Sequence, residues 1–115
     1  MATARNIYDR DHLYAIVDAA SAGDNTIVAA VTGKKILVLA YVLVASGGAQ
    51  TLLRWESGAS GTAMTGEMDL GDNLSLVAPY AAGGHFACAV SVLLNLQITA
   101  ATSVDGHVTY VLIDP

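Results

Sequence analysis

Apolar and polar positions along this chain alternate mostly with the period of two that marks extended strands, and short clusters of turn-forming residues interrupt the alternation. Gln50, Leu52, Arg54 and Glu56 alternate with Thr51, Leu53, Trp55 and Ser57, giving one more polar and one more apolar face. Val92, Leu94, Leu96 and Ile98 alternate with Leu93, Asn95, Gln97 and Thr99, and Val108, Tyr110 and Leu112 with His107, Thr109, Val111 and Ile113. Ser21-Ala22-Gly23-Asp24-Asn25, Thr32-Gly33, Gly71-Asp72-Asn73 and Gly83-Gly84 stand between such runs as turns. Gly47-Gly48 and Asp105-Gly106 have the form of tight hairpin turns, because glycine reaches positive φ without steric cost. Strands are expected over 13–20, 26–31, 36–45, 50–57, 62–70, 73–78, 90–100 and from 107 onward. Hardly any helical period occurs. The pattern predicts an all-β fold: an antiparallel β-sandwich, jelly-roll-like, as a single domain over 13–115 behind an N-terminal arm over 1–12.

The segment from Ile36 to Ala45 departs from simple alternation. Strict alternation would put Leu37, Leu39, Tyr41 and Leu43 on one face and Ile36, Val38, Val42 and Val44 on the other, so neither face is polar. A sandwich covers one face only, and the second cover is expected from another copy of the chain. The expected oligomer interface is Ile36, Val38, Tyr41, Val42, Val44 and Trp55, and a homotrimer is the expected assembly.

Composition supports self-association. Hydrophobic residues make up 54% and charged residues 13% of the 115, below the roughly 25% charged of ordinary globular domains, so solvent-facing area is thin. The net charge of −5 disfavours nucleic acid, and Arg5, Arg10, Lys34, Lys35 and Arg54 are scattered rather than clustered. The longest apolar run is about half of the ~20 residues a membrane helix needs. No membrane partner is expected. Nothing in Met1–Asn6 has the form of a secretory signal, so synthesis in the cytoplasm is expected. Cys88 is the one cysteine, which excludes an intrachain disulfide, and its neighbours Phe86, Ala87, Ala89 and Val90 imply an inert buried thiol.

Chemistry-bearing patterns are sparse. Ser57-Gly58-Ala59-Ser60-Gly61 lacks the lysine of a phosphate loop and is read as a flexible loop. His12, His85 and His107 are separated in sequence and have no metal-ligand spacing. Glu67, Asp69 and Asp72 form the one carboxylate cluster; a hard cation or glycan chemistry is conceivable there, but the spacing fits no calcium loop and solvation is the plainer reading. Arg54 beside Trp55 could stack on bases, which the acidic charge opposes. No catalytic residue, cofactor or metal is expected, and the protein is not expected to be an enzyme.

The order Lys35 to Ala45, Gly48-Ala49-Gln50-Thr51, Ser57-Gly58, Leu70, Leu76-Val77-Ala78-Pro79-Tyr80, Gly84-His85-Phe86, Leu94-Asn95-Leu96, Ala100-Ala101 and Val104 to Val111 resembles a family of small bacteriophage virion structural proteins, over roughly 34 to 113. That family includes capsid decoration, or cement, proteins, and the resemblance implies a compact β-sandwich trimer seated on the outer surface of the head, bound to the major capsid protein and stabilising it. The arm lies outside the resemblance. Its Ile7 and Tyr8 are the expected apolar anchors for capsid docking, with Arg5, Arg10, Asp9 and Asp11 around them. Two other functions remain open at this stage: a tail or fibre head domain that binds a host receptor, and a small glycan-acting sandwich enzyme built on Glu67, Asp69 and Asp72.

Overall fold

The computed structural model describes residues 11–115, and among them ten β-strands and no helix. The strands are β1 (Leu13–Ala19), β2 (Gly23–Val28), β3 (Lys35–Ala45), β4 (Thr51–Ser57), β5 (Thr62–Ala63), β6 (Met68–Leu70), β7 (Ser75–Ala78), β8 (Phe86–Ala87), β9 (Leu94–Ile98) and β10 (Val104–Ile113). They form two antiparallel sheets. The first has the order β1-β10-β3-β7, with β8 also on β3; the second has the order β2-β9-β4-β5, with β6 also on β4. With β5 and β6 taken as one interrupted strand and β7 and β8 as another, eight strands remain, ordered 1-8-3-6 and 2-7-4-5. This is the two-Greek-key path of a jelly roll, as the alternating pattern predicts. The expected arm, including Arg5, Ile7, Tyr8 and Arg10, falls almost wholly outside the described residues.

Neither expected glycine hairpin forms. β3 and β4 belong to different sheets, so Gly47-Gly48 carries the chain across the sandwich instead of reversing it within one sheet. Gly47 packs so tightly on the next connection that a β-carbon there would lie 2.3 Å from Thr102 Oγ1. Gly106 sits inside β10, paired with Val17 on one side and Leu43 on the other. Its φ is +151°, and a β-carbon would lie 1.8 Å from the Val42 carbonyl oxygen. Glycine here marks a close approach of two backbones, the other meaning a glycine has in a strand pattern. The expected strand over 62–70 is split into β5 and β6, and that over 90–100 shortens to β9, with Ser91 at φ 62° in the preceding turn.

The inner faces supply the core. Val17 from β1, Val108 from β10, Leu43 from β3, and Leu53, Trp55, Leu94, Leu96 and Ile98 from the second sheet are all essentially fully buried in one cluster. Tyr41 meets the Trp55 ring edge-on at 5.3 Å between centroids, and Phe86 lies 6.3 Å from Trp55 at a tilt of 38°. The edge-to-face contact adds about 1 kcal/mol beyond the area it buries.

β3 does not keep strict alternation. Its register against β10 shifts between Thr109 and Tyr110: Val38 pairs with Tyr110 and Ala40 with Thr109, which leaves Leu39 as an extra residue. The bulge exchanges the faces of the strand. Ile36 and Val38 point into the core before it, and Tyr41, Leu43 and Ala45 after it. Leu37 and Leu39 turn to the opposite side of the sheet, where they form a second small cluster with Val111, Ala87 and Ile113. The connection between β7 and β8 covers this cluster: the Ala81 N–H donates to the Leu39 carbonyl at 2.9 Å, and Gly84 touches the Leu37 side chain. Half of the apolar outer face of β3 is therefore covered by its own chain, contrary to the expectation that a second copy must cover all of it.

Candidate functional site

Beyond the bulge, the outer face of the first sheet is open and mostly uncharged. Pairing in this part of the sheet aligns Ile16 with His107, His107 with Val42 and Val42 with Val77, one row across β1, β10, β3 and β7. Core residues occupy the alternate positions, so this row points away from the core. Ile16 is 74% exposed and Val77 58%. Tyr14, aligned through Thr109 with Ala40, flanks the row on one side, and Val44, paired with Asp105 and Ser75, flanks it on the other. Exposed apolar side chains gathered on one sheet face make it a candidate surface for association.

The outer face of the second sheet has the opposite character. Arg54 Nε donates to Glu56 Oε2 at 2.7 Å, and the Asn95 side-chain amide donates to Glu56 Oε1 at 2.9 Å and to Asp24 Oδ1 at 2.8 Å. Asn95 Oδ1 in turn accepts from the Asn25 N–H at 2.8 Å. Ser60, in the loop after β4, donates its N–H and its hydroxyl to the two oxygens of Asp24 at 3.0 and 2.8 Å. Glu56 and Asn95 have no exposed surface. The Ser60 hydroxyl, then the Ser60 N–H and Asn95, hold the Asp24 carboxyl below its ordinary range, against a small opposing effect of desolvation. Both oxygens of each carboxylate are thus occupied. The network joins β2, β9 and β4 and ties down the 57–61 loop that the composition suggests is flexible.

The remaining candidates separate. Ile36, Val38 and Trp55 are completely buried and Tyr41 nearly so, all within the chain's own core, so they cannot meet a second copy. Of the six expected interface residues, only Val42 and Val44 lie on the outer face. Tyr14, Ile16 and Val77 also lie on that face and were not among the six; for Tyr14 and Ile16 the signal available was their spacing of two within Leu13–Ala19. Glu67 reaches Arg54 Nη1 at 3.8 Å, Asp69 accepts from Gln50 Nε2 at 2.7 Å, and Asp72 accepts from the Gly48 N–H at 3.0 Å. Each of these carboxylates has a different partner, and among the described residues no three His, Cys, Asp or Glu side chains converge on a point where a metal ion could bind. His12 packs on Tyr80 with centroids 5.6 Å apart, His85 Nε2 lies 2.7 Å from the Pro79 carbonyl oxygen, and His107 is exposed in the outer row. Cys88 is wholly buried, and that burial pushes its thiol up to about 11 despite a hydrogen bond with Ser57 that acts the other way.

No family model and no curated protein matches the sequence. Among solved structures the chain is similar to one from Bacillus, described by the statement that Bacillus endospore appendages form a novel family of disulfide-linked pili. The likeness covers 99% of this chain and 97% of that one with a TM-score of 0.52 at 15% identity, and so concerns the β-sandwich fold alone.

Proposed function

We propose that the protein is a bacteriophage capsid decoration protein, a non-enzymatic clamp that binds the outer surface of the head and stabilises it. The observation that carries this reading is the open row Ile16–His107–Val42–Val77, apolar but for His107, on one sheet face, opposite a polar second face whose central carboxylates, Asp24 and Glu56, have both oxygens bonded. One face is suited to contact and the other to water. The sequence resemblance over roughly 34 to 113 supplies the kind of particle, and the major capsid protein is the partner it implies. Cys88, alone and buried, cannot link copies by disulfides in the way named for the Bacillus appendages.

The test is binding to heads stripped of the protein. Val44→Glu with Val77→Glu, both on the outer face of the first sheet, should weaken binding at least tenfold and remove the added thermal stability of the head. Gln97→Glu on the opposite sheet should do neither. Equal binding by all three proteins would overturn the reading. Copy number per particle separates it from a tail or fibre location, since a head carries hundreds of decoration sites and a tail only a few. Deleting residues 2 to 12 tests the docking role expected of Arg5, Ile7, Tyr8 and Arg10 in the same assay.

A further inference from the structure

We propose that β1 is a strand-addition edge, at which two copies of this chain join their first sheets antiparallel about a twofold axis through Ile16. The inference stands whether or not the assembly sits on a phage head.

Each of the two sheets has two edges, and a bare edge strand is a template for pairing unless something blunts it. Three of the four edges are blunted. β5 and β6 have two and three residues, and β7 has four and runs directly into Pro79. β2 begins on Gly23 at φ +98°, carries Asp24, and has a register shift between Thr26 and Val28. Of these devices β1 has only a single charge, Asp18, next to its last residue. Its seven residues pair without interruption from Leu13 with Tyr110 to Ala19 with Val104, and they include no Gly, Pro or Lys. Among the described residues nothing pairs with its other edge. Its outward side chains are Tyr14 and Ile16, 75% and 74% exposed, followed by Asp18.

The other edges being short or bulged, the partner that fits β1 best is a second β1. Antiparallel pairing centred on Ile16 sets Ile16 against its own copy and Tyr14 against Asp18 of the other chain, so a phenol faces a carboxylate that can accept its hydrogen bond. On the inner side the same register sets Leu13 against Ala19 and Ala15 against Val17. All seven residues are then used and no like charges are opposed. Moving the centre one residue toward the C-terminus would press Asp18 onto Ile16. Pairing in this register also makes the first sheets of the two copies continuous, so that the two apolar outer rows run end to end.

Cross-linking reads the register directly. Directly opposed residues in an antiparallel pair have Cα atoms about 4.5–5.5 Å apart, within the span a disulfide accepts. Under mild oxidation of the native protein, Ile16→Cys should give a covalent dimer. Tyr14→Cys alone should not, and Tyr14→Cys with Asp18→Cys should. Cys88 is buried and contributes no background. By sedimentation equilibrium the unmodified protein should have twice the 11.8 kDa chain mass, and Ile16→Lys, which sets two ammonium groups face to face, should weaken association at least tenfold while leaving the circular dichroism spectrum unchanged. A monomer at 100 μM, an oligomer indifferent to Ile16→Lys, or cross-linking through Ala15→Cys rather than Ile16→Cys would each overturn the proposal. These measurements use no capsid, so their failure leaves the decoration role to be judged by its own assay.

Discussion

Cys88 is held out of chemistry by where it lies. Its sulfur sits 3.5 Å from the Leu93 carbonyl oxygen, its N–H is bonded to Ile36 at 2.9 Å, and none of its surface reaches water. Since burial raises the folded thiol to about 11 from an ordinary 9.0, the unfolded chain ionises first as pH rises. The stability this thiol contributes is therefore complete below pH about 9 and is lost as pH climbs toward 11, by about 2–3 kcal/mol in all. Urea midpoints measured from pH 8 to 10.5 should fall more steeply for the natural protein than for Cys88→Ala, which removes this group and leaves Tyr41 and the other titrating groups in place. Parallel curves would show that the thiol is not shielded. The inert thiol was legible in the sequence, because Phe86, Ala87, Ala89 and Val90 surround it. Gly106 was not: a glycine after an aspartate has the same appearance in a turn and at a point where one strand's backbone crowds the next.

Among the elements, β3 shows how a bulge can be invisible in a sequence. Every residue from Ile36 to Ala45 is apolar, so an extra residue at Leu39 leaves no polar side chain on the wrong face to reveal it. The strand itself was legible from its length and its flanking lysines and glycines. Its inner and outer sets were not, and the expected interface of Ile36, Val38 and Tyr41 failed for that reason, while Val42 and Val44 remained on the open face. Two variants separate the register from the packing at this point. Leu39→Ala keeps the extra residue and should lose about 2–5 kcal/mol by opening a cavity, while folding to the same sheet order. Deleting Leu39 removes the face exchange, so that either Ile36 and Val38 or Tyr41 and Leu43 must leave the core. That chain should be insoluble or lack a cooperative urea transition; a soluble deletion variant as stable as Leu39→Ala would argue against the bulge. The polar network of the second sheet was half legible, since Arg54 and Glu56 alternate on one strand and Asn95 and Gln97 on another. What the pattern lacked was the register that pairs Glu56 with Asn95.

At the scale of the whole molecule the two outer faces differ, one with a central row that is apolar but for His107, the other with a net of carboxylates, amides and a guanidinium at its centre. That difference gives the sandwich a direction, and it is the property a clamp on a larger surface needs. The sheet order has a further consequence, in time rather than in space. In the first sheet β10 lies between β1 and β3, so Leu13 finds its partner in Tyr110 and nearly the whole described chain must be present before the sheet can close. Contacts between residues so distant in sequence are slow to form, because the entropy of closing a long loop is lost before any contact compensates it. Refolding from urea in a stopped-flow experiment should accordingly take milliseconds to seconds, with β1 protected against hydrogen exchange no earlier than β10, whereas microsecond folding would contradict this path. Until β10 arrives, the edge of β3 that it pairs with stays bare, and Val111 and Ile113 are missing from the outer cluster around Leu37 and Leu39. The interval between synthesis of β3 and arrival of β10 is when this chain is most exposed to aggregation, and Lys34 and Lys35 stand at the entrance to the strand, where charge opposes it most directly.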